Sequence, residues 1–593
     1  MKHNSRFYSA TCVPRLRTST LPHITIQCPV YKEDLAATIA PTIRSIKAAI
    51  STYELQGGTA NLFINDDGLQ SIPLAQREAR IRFYSDNNIG WTARPNHGAI
   101  LRNGSTFTKR GKFKKASNMN YGLHLSCLIE DRLSTIHRPR TWTQADESAA
   151  YDSAFKTVME DQFPDAWAAG DIRVGDYILL VDSDTRIPAD CFLDAVSEME
   201  ASPEVGILQF SSGVMQVQHD YFENGITFFT DLIYSAIRYT VANGDVAPFV
   251  GHNAMVRWSA IQNVAFPSPF PDDQGKLLFW SESHVSEDFD MALRLQCQGY
   301  IIRLAAWAGD GFKEGVSLTV YDELARWEKY AFGCNELLFY PLVEWWRKGP
   351  FTPIFKAFIK SNIRVTSKVT ILSYIGTYYA IGAAWLITVI NYFLVGWFNG
   401  YLDHYYIDSW KVWFSLVIVF HGLGNVGLAA MRYRDEDTRD MSGGKKIAGF
   451  VGHREHPSFT CAHRNADTRL VTTNFRHTFM LSIFLGGLSL HVSAALLSHM
   501  FGYNMTWGAT SKEAKVTNFF QEAPLVIKRF KWSFLFSIGG FAMMIILGTG
   551  TWGLVRHDYR ITSAIAIVPM AMLLGSHLLL PVVLNPGLMV FSY

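Results

Sequence analysis

The sequence predicts an α/β domain built on a mainly parallel sheet, followed by amphipathic helices and an α-helical membrane region. Short β-rich apolar runs at 24–28, 61–64, 177–181 and 205–210 alternate with helical stretches, the order of a parallel sheet with crossover helices. Each run ends in polar residues or glycine, which places candidate ligand loops at the C-terminal ends of the strands. Five long uncharged runs then crowd the C-terminal part: 369–397, 412–431, 478–500, 533–555 and 561–593. Each exceeds the ~18 residues that suggest a membrane span.

Composition sets the bounds. The chain has 593 residues, 48% hydrophobic and 14% aromatic, which is too apolar for an all-soluble protein of this size. A net charge of +2 excludes the broad basic face that nucleic-acid binding needs. The seven cysteines form no CxxC pair, which fits unpaired thiols in a reduced compartment. Residues 1–23 carry Lys2, Arg6, Arg15 and Arg17 but no apolar core, so they read as a basic tail without a signal peptide or membrane span. Self-association is left open.

The α/β domain is expected over 24–320, with a polar, mainly helical or loop insertion at about 130–175. Amphipathic helices follow over 321–368, and the membrane region over 369–593. Loop charge then sorts the sides of the bilayer. Residues 398–409 hold no Lys or Arg, whereas 432–476 hold nine, so the first loop is expected outside and the second, with the α/β domain, in the cytosol. The run 478–500 is dotted with Gly, Ser and His and reads as interfacial or re-entrant. That leaves four spans and keeps 501–531, with five Lys or Arg, on the cytosolic side.

Candidate chemistry sits at the strand ends. Asp182-Ser183-Asp184 follows the run 177–181 and offers two hard oxygen ligands where a Mg²⁺ or Mn²⁺ can bridge to a diphosphate. The earlier runs end in Pro29-Val30-Tyr31-Lys32-Glu33 and in Asp66-Asp67-Gly68. There Tyr31 can stack on a base, and carboxylates can accept from a pyrimidine N–H or ribose hydroxyls. The basic stretch from Lys109 to Asn120 opens a helix, and Lys115, with Asn120 second, is the expected diphosphate contact. Ser286-Glu287-Asp288 starts an amphipathic helix, whose dipole keeps an acid ionised and able to act as a base. In Glu323-Leu324-Ala325-Arg326-Trp327, Arg326 suits phosphate and Trp327 suits a sugar face.

These motifs, with the Gly251-His252-Asn253 stretch and Trp507 to Lys512, stand in the order found in processive family 2 glycosyltransferases. The chain resembles the hyaluronan, chitin and cellulose synthase group, and more closely the type 2 glycosyltransferases of filamentous fungi. The resemblance implies a GT-A-like nucleotide-sugar domain in which Pro29, Tyr31, Glu33, Asp66 and Asp67 hold the nucleoside. Asp182 and Asp184 would hold the diphosphate and a Mn²⁺ or Mg²⁺ ion, and Asp288, beside Glu287, would be the general base. Gly251, His252 and Asn253 would lie near the acceptor, and Arg326 and Trp327 match the Arg-Trp of the Gln-x-x-Arg-Trp signature. A gating loop at about 505–515, with Trp507, Gly508, Thr510 and Lys512, would close over the nucleotide.

The resemblance therefore implies a multi-pass membrane enzyme, at the plasma membrane with a cytosolic catalytic domain. It would move a sugar from a UDP-sugar to a growing cell-wall or extracellular polysaccharide with inversion. Two departures stand out: Glu323 occupies the Gln position, and the spans that commonly precede the catalytic domain are absent from the sequence. A non-processive transferase acting on a lipid acceptor such as ceramide or a polyprenyl phosphate is the alternative, separable by product length. A binding protein with a retired site is the other, separable by its failure to hydrolyse any UDP-sugar.

Overall fold

The computed structural model describes residues 3–18, 20–111, 114–270, 276–398, 403–416, 418–419, 423–424, 427, 477–505, 517–550 and 553–591. Its strands are β1 (Tyr8–Ser9), β2 (His23–Val30), β3 (Thr59–Asp66), β4 (Gly90–Ala93), β5 (Trp167–Ala169), β6 (Tyr177–Leu180) and β7 (Val205–Phe210). They continue with β8 (Ser212–Met215), β9 (Ala254–Arg257), β10 (Phe266–Pro267), β11 (Leu277–Leu278), β12 (Ile301–Ala305) and β13 (Phe312–Gly315). Nine of them form one sheet in the order β1-β12-β7-β9-β6-β2-β3-β4-β5. Pairing is parallel except where β9 lies between β6 and β7 and where β5 closes the edge on β4. The mainly parallel sheet is as the sequence predicts.

The central strands are buried on both faces, one face apolar and the other partly polar, where Thr25 bonds Asn61 and Gln27 bonds Asn65. Ile24, Ile26, Ile64, Leu179, Leu208 and Val256 are all at most 1% exposed, each contributing roughly 1.5–3 kcal/mol of burial. Local signals start the covering helices. Asp34 caps the turn leading into Ala40–Leu55 by accepting from the Ala36 and Ala37 N–H groups. Thr143 and Asp146 form a reciprocal capping box on Gln144–Gln162. That helix and β5 lie in the stretch read as an insertion, so part of it joins the main sheet.

Register builds the site. Leu180 at the end of β6 pairs with Ala254 at the start of β9, so the 251–253 turn lies beside the residues that follow β6. A bridge between Arg186 and Lys313 brings the end of β13 to the same place.

Among the described residues, four helices are long and apolar enough to cross a membrane: Val365–Phe398, His477–Met500, Phe519–Thr549 and Ala564–Val583. The run 478–500, read from its polar dots as interfacial or re-entrant, is among them by length and composition, yet its helix is interrupted at 487–488 and both its ends meet the sheet-domain side, His477 stacking on Phe228 and His499 bonding Asn335. Those polar groups face protein rather than lipid: Ser489 meets His577, Ser493 meets Trp385, and His499 meets Asn335. The expected span 412–431 falls largely outside the described residues. Phe519–Thr549 starts well before residue 533, carries Lys528, Arg529 and Lys531, and is kinked at Phe530 (φ −101°, ψ 16°).

Between sheet and membrane helices lies Val320–Leu338, capped by Thr319. Asn335 on this helix holds the Leu496 carbonyl (3.1 Å) and His499 (3.0 Å) and accepts from the Tyr379 hydroxyl (2.7 Å). Tyr321 donates to Glu522 at 2.9 Å. Residues 499 and 522 therefore both lie on the side of the sheet domain.

Candidate active site

Asp182 and Asp184 stand two apart beyond β6, both half-buried on the same side, while Ser183 between them turns inward. The Lys115 ammonium donates to Asp182 Oδ1 at 2.7 Å and to the Gly251 carbonyl at 3.2 Å. Burial opposes its charge, but Asp182, Glu287 and Asp288 together hold it above the ordinary lysine value. One cation thus gathers the carboxylates of two motifs about a hundred residues apart in the chain.

Gly251 makes this convergence feasible. Its φ is +79°, and a β-carbon there would sit 3.1 Å from Asp288 Oδ2, so any side chain would push the carboxylate aside. Asp288 is half-buried at the start of Glu287–Cys297, facing the turn. Glu287 is only 6% exposed, and burial raises its carboxyl above the usual range although Lys329 and Lys115 oppose this. Gly315 closes on the other carboxylate, since a β-carbon there would meet Asp184 Oδ2 at 2.7 Å.

The nucleoside-side residues divide. Tyr31 is 42% exposed at the end of β2, and Glu33 accepts from its N–H. Asp67 is gripped by Arg94 (2.6 Å) and Lys109 (2.8 Å). Asp66 is sealed, 0% exposed, with its oxygens taken by Arg80, Tyr84 and the Gly68 N–H. It braces the loop, which corrects its reading as a ligand contact. Asn120 is likewise committed: it donates to the Trp280 carbonyl and Glu282 and accepts from the Phe279 and Trp280 N–H groups, with no hydrogen left for a diphosphate. Asn253 is fully buried and donates to Ser212, so in its stretch Gly251 and His252 are the ones that reach the site.

Arg326 and Trp327 share one partner. Glu323, 4% exposed, accepts from the Trp327 indole at 3.0 Å and lies 3.4 Å from the Arg326 guanidinium. Tyr330, ahead of Glu323, holds Arg326 above its ordinary value. Phe229, Tyr378 and Phe484 wall the Trp327 ring, each at 6.2 Å between centroids. Trp507, Gly508, Thr510 and Lys512 lie outside the described residues.

Sequence reasoning missed Arg80, Arg94 and Glu314. Single charged residues on separate elements leave no spacing signal; only the fold brings Glu314 to His252.

The donor set fits a hard divalent cation. Two carboxylates stand on one loop, and no group of three His, Cys, Asp or Glu side chains suits a metal among the described residues, so other ligands would come from a diphosphate and water.

Residues 177–400 match the glycosyl transferase family group 2. The glucans biosynthesis glucosyltransferase H of Pseudomonas paraeruginosa is 27% identical over 175 residues, covering 29% of this chain and 19% of that protein. The protein of the same name from Pseudomonas aeruginosa matches to the same extent. The chain spans about a fifth of the length of these curated relatives. Among solved structures, the mannosyltransferase PcManGT from Pyrobaculum calidifontis, in complex with GDP-Man and Mn²⁺, is similar over 81% of this chain and 88% of its own, at 11% identity and a TM-score of 0.32. That likeness decides neither donor nor metal.

Proposed function

We propose that the protein is a membrane-embedded, inverting glycosyltransferase that moves a sugar from a UDP-sugar onto a growing polysaccharide. In this reading it is processive, of the filamentous-fungal type, and works at the plasma membrane with its sheet domain in the cytosol. The observation that carries the reading is the convergence of Asp182, Asp184, Lys115, Gly251 and Asp288 at the C-terminal edge of the sheet. A carboxylate base, a diphosphate-neutralising cation and a pair of metal ligands are what direct displacement at a sugar carbon requires.

In this mechanism Asp288 takes the proton of the acceptor hydroxyl as it attacks. Lys115 neutralises the departing diphosphate, and Arg326 adds charge from the other side. Tyr31 stacks on the base, Asp67 orients the nucleoside, and Trp327 orients the acceptor sugar. Asp182 and Asp184 would hold a Mn²⁺ or Mg²⁺ ion, which when bound supplies positive charge to the leaving group. In this reading a gating loop at about 505–515 closes over the nucleotide, with Lys512 reaching the diphosphate.

The test is transfer by the purified protein in detergent, with a panel of radiolabelled nucleotide sugars and Mn²⁺. Labelled product from a UDP-sugar supports the reading, and its length separates polymer from single addition. No product and no hydrolysis with any donor would overturn it.

A further inference from the structure

Glu314 has no counterpart among the motifs, yet it reaches the site through His252. It is the third residue of β13, next to Gly315, which backs onto Asp184. Its carboxylate contacts His252 Nε2 and accepts from the Tyr234 hydroxyl, which lies 3.3 and 3.2 Å from its two oxygens. Arg326 feels its charge from the helix Val320–Leu338. The other edge of the His252 ring faces the Val250 carbonyl at 3.1 Å and Asp182 Oδ2 at 3.8 Å. A lone imidazole on a turn could swing about two torsions; held at both ring nitrogens, it cannot.

We propose that Glu314 is a positioning residue: it fixes the His252 ring edge-on beside Asp182, where His252 contacts the diphosphate end of a nucleotide-sugar. Tyr234 steadies the carboxylate from the helix Tyr221–Ala242. The assignment rests on the proposed transferase reading. It makes Glu314 part of donor alignment rather than of nucleoside binding, because Tyr31 and Asp67 lie on other loops.

The experiment compares Glu314→Gln, His252→Gln and the double variant with wild type, all as full chain in detergent. Glu314→Gln is expected to lower kcat by about 10- to 100-fold with donor KM changed less than about threefold, as loss of an orienting partner does. The double variant is expected to be no slower than the slower single variant, because both remove one arrangement. A kcat near wild type for Glu314→Gln, or fully multiplicative losses, would overturn the assignment. A second readout needs no turnover: the rate at which diethyl pyrocarbonate modifies His252, followed by peptide mass spectrometry. Freed from its carboxylate, the ring should react several-fold faster in Glu314→Gln, and an unchanged rate overturns the proposal. Absence of transfer in wild type would instead overturn the transferase reading, and the modification rate would still decide Glu314.

Discussion

Asp288 and Glu287 are neighbours, but Glu287 is only 6% exposed while Asp288 is half-buried against Gly251. This contrast supports Asp288 as the base. Asp288→Asn is expected to cut transfer by about 10²- to 10⁴-fold while UDP affinity in calorimetry stays within about threefold. A variant keeping half of wild-type turnover would remove Asp288 from that role. Asp184→Ala is expected to abolish the gain in UDP affinity that Mn²⁺ gives the wild type, since ion and diphosphate are held together. Equal UDP affinity of the wild type with and without Mn²⁺ would end the bridging idea. Glu323 offers a milder test. Glu323→Gln keeps an acceptor for the Trp327 indole and should retain most activity, whereas Glu323→Ala frees both Arg326 and Trp327 and should not. Equal activities would show that the shared partner is incidental.

At the scale of elements, the helix Val320–Leu338 joins the sheet domain to the membrane helices through buried polar contacts. Asn335 is fully buried, and three groups depend on it. Asn335→Ala takes one partner from each of them, and a buried group left unpaired costs about 1–3 kcal/mol. A clear drop in the thermal midpoint in detergent is expected, and an unchanged midpoint would mean that water replaces the side chain. Similar contacts account for the polar residues in 478–500. A sequence shows that His, Ser and Gly interrupt an apolar run, but it does not show that Asn335, Trp385 and His577 are waiting for them. The strands were legible because short β-branched runs bounded by polar residues and glycine have the length and composition of strands.

For the whole molecule, the contacts of residues 499 and 522 with Val320–Leu338 set a topology that labelling can check. On a cysteine-free background, Tyr503→Cys should react with an impermeant maleimide from the same side as a cysteine restored at position 12, which is exposed. His404→Cys, in the loop without basic residues, should react from the opposite side. Labelling of position 503 from outside intact cells would overturn this arrangement and, with it, the return of the 505–515 loop to the nucleotide.

The sequence by itself determined the parallel sheet, the apolar C-terminal helices and the motifs at the strand ends, because hydrophobic periodicity and span length are local properties of a chain. Tertiary structure decided which charges meet. Asp66 and Asn120 carry the right chemistry but are used up by Arg80 and Trp280, and Asn253 is sealed from solvent, whereas Lys115, Asp182 and Asp288 meet beside Gly251. Glu314 entered the site only through the register of β13 on Arg186. Hydrogen-bond capacity is finite, and whether a polar side chain spends it on a neighbour or keeps it for a ligand depends on contacts between residues far apart in the chain.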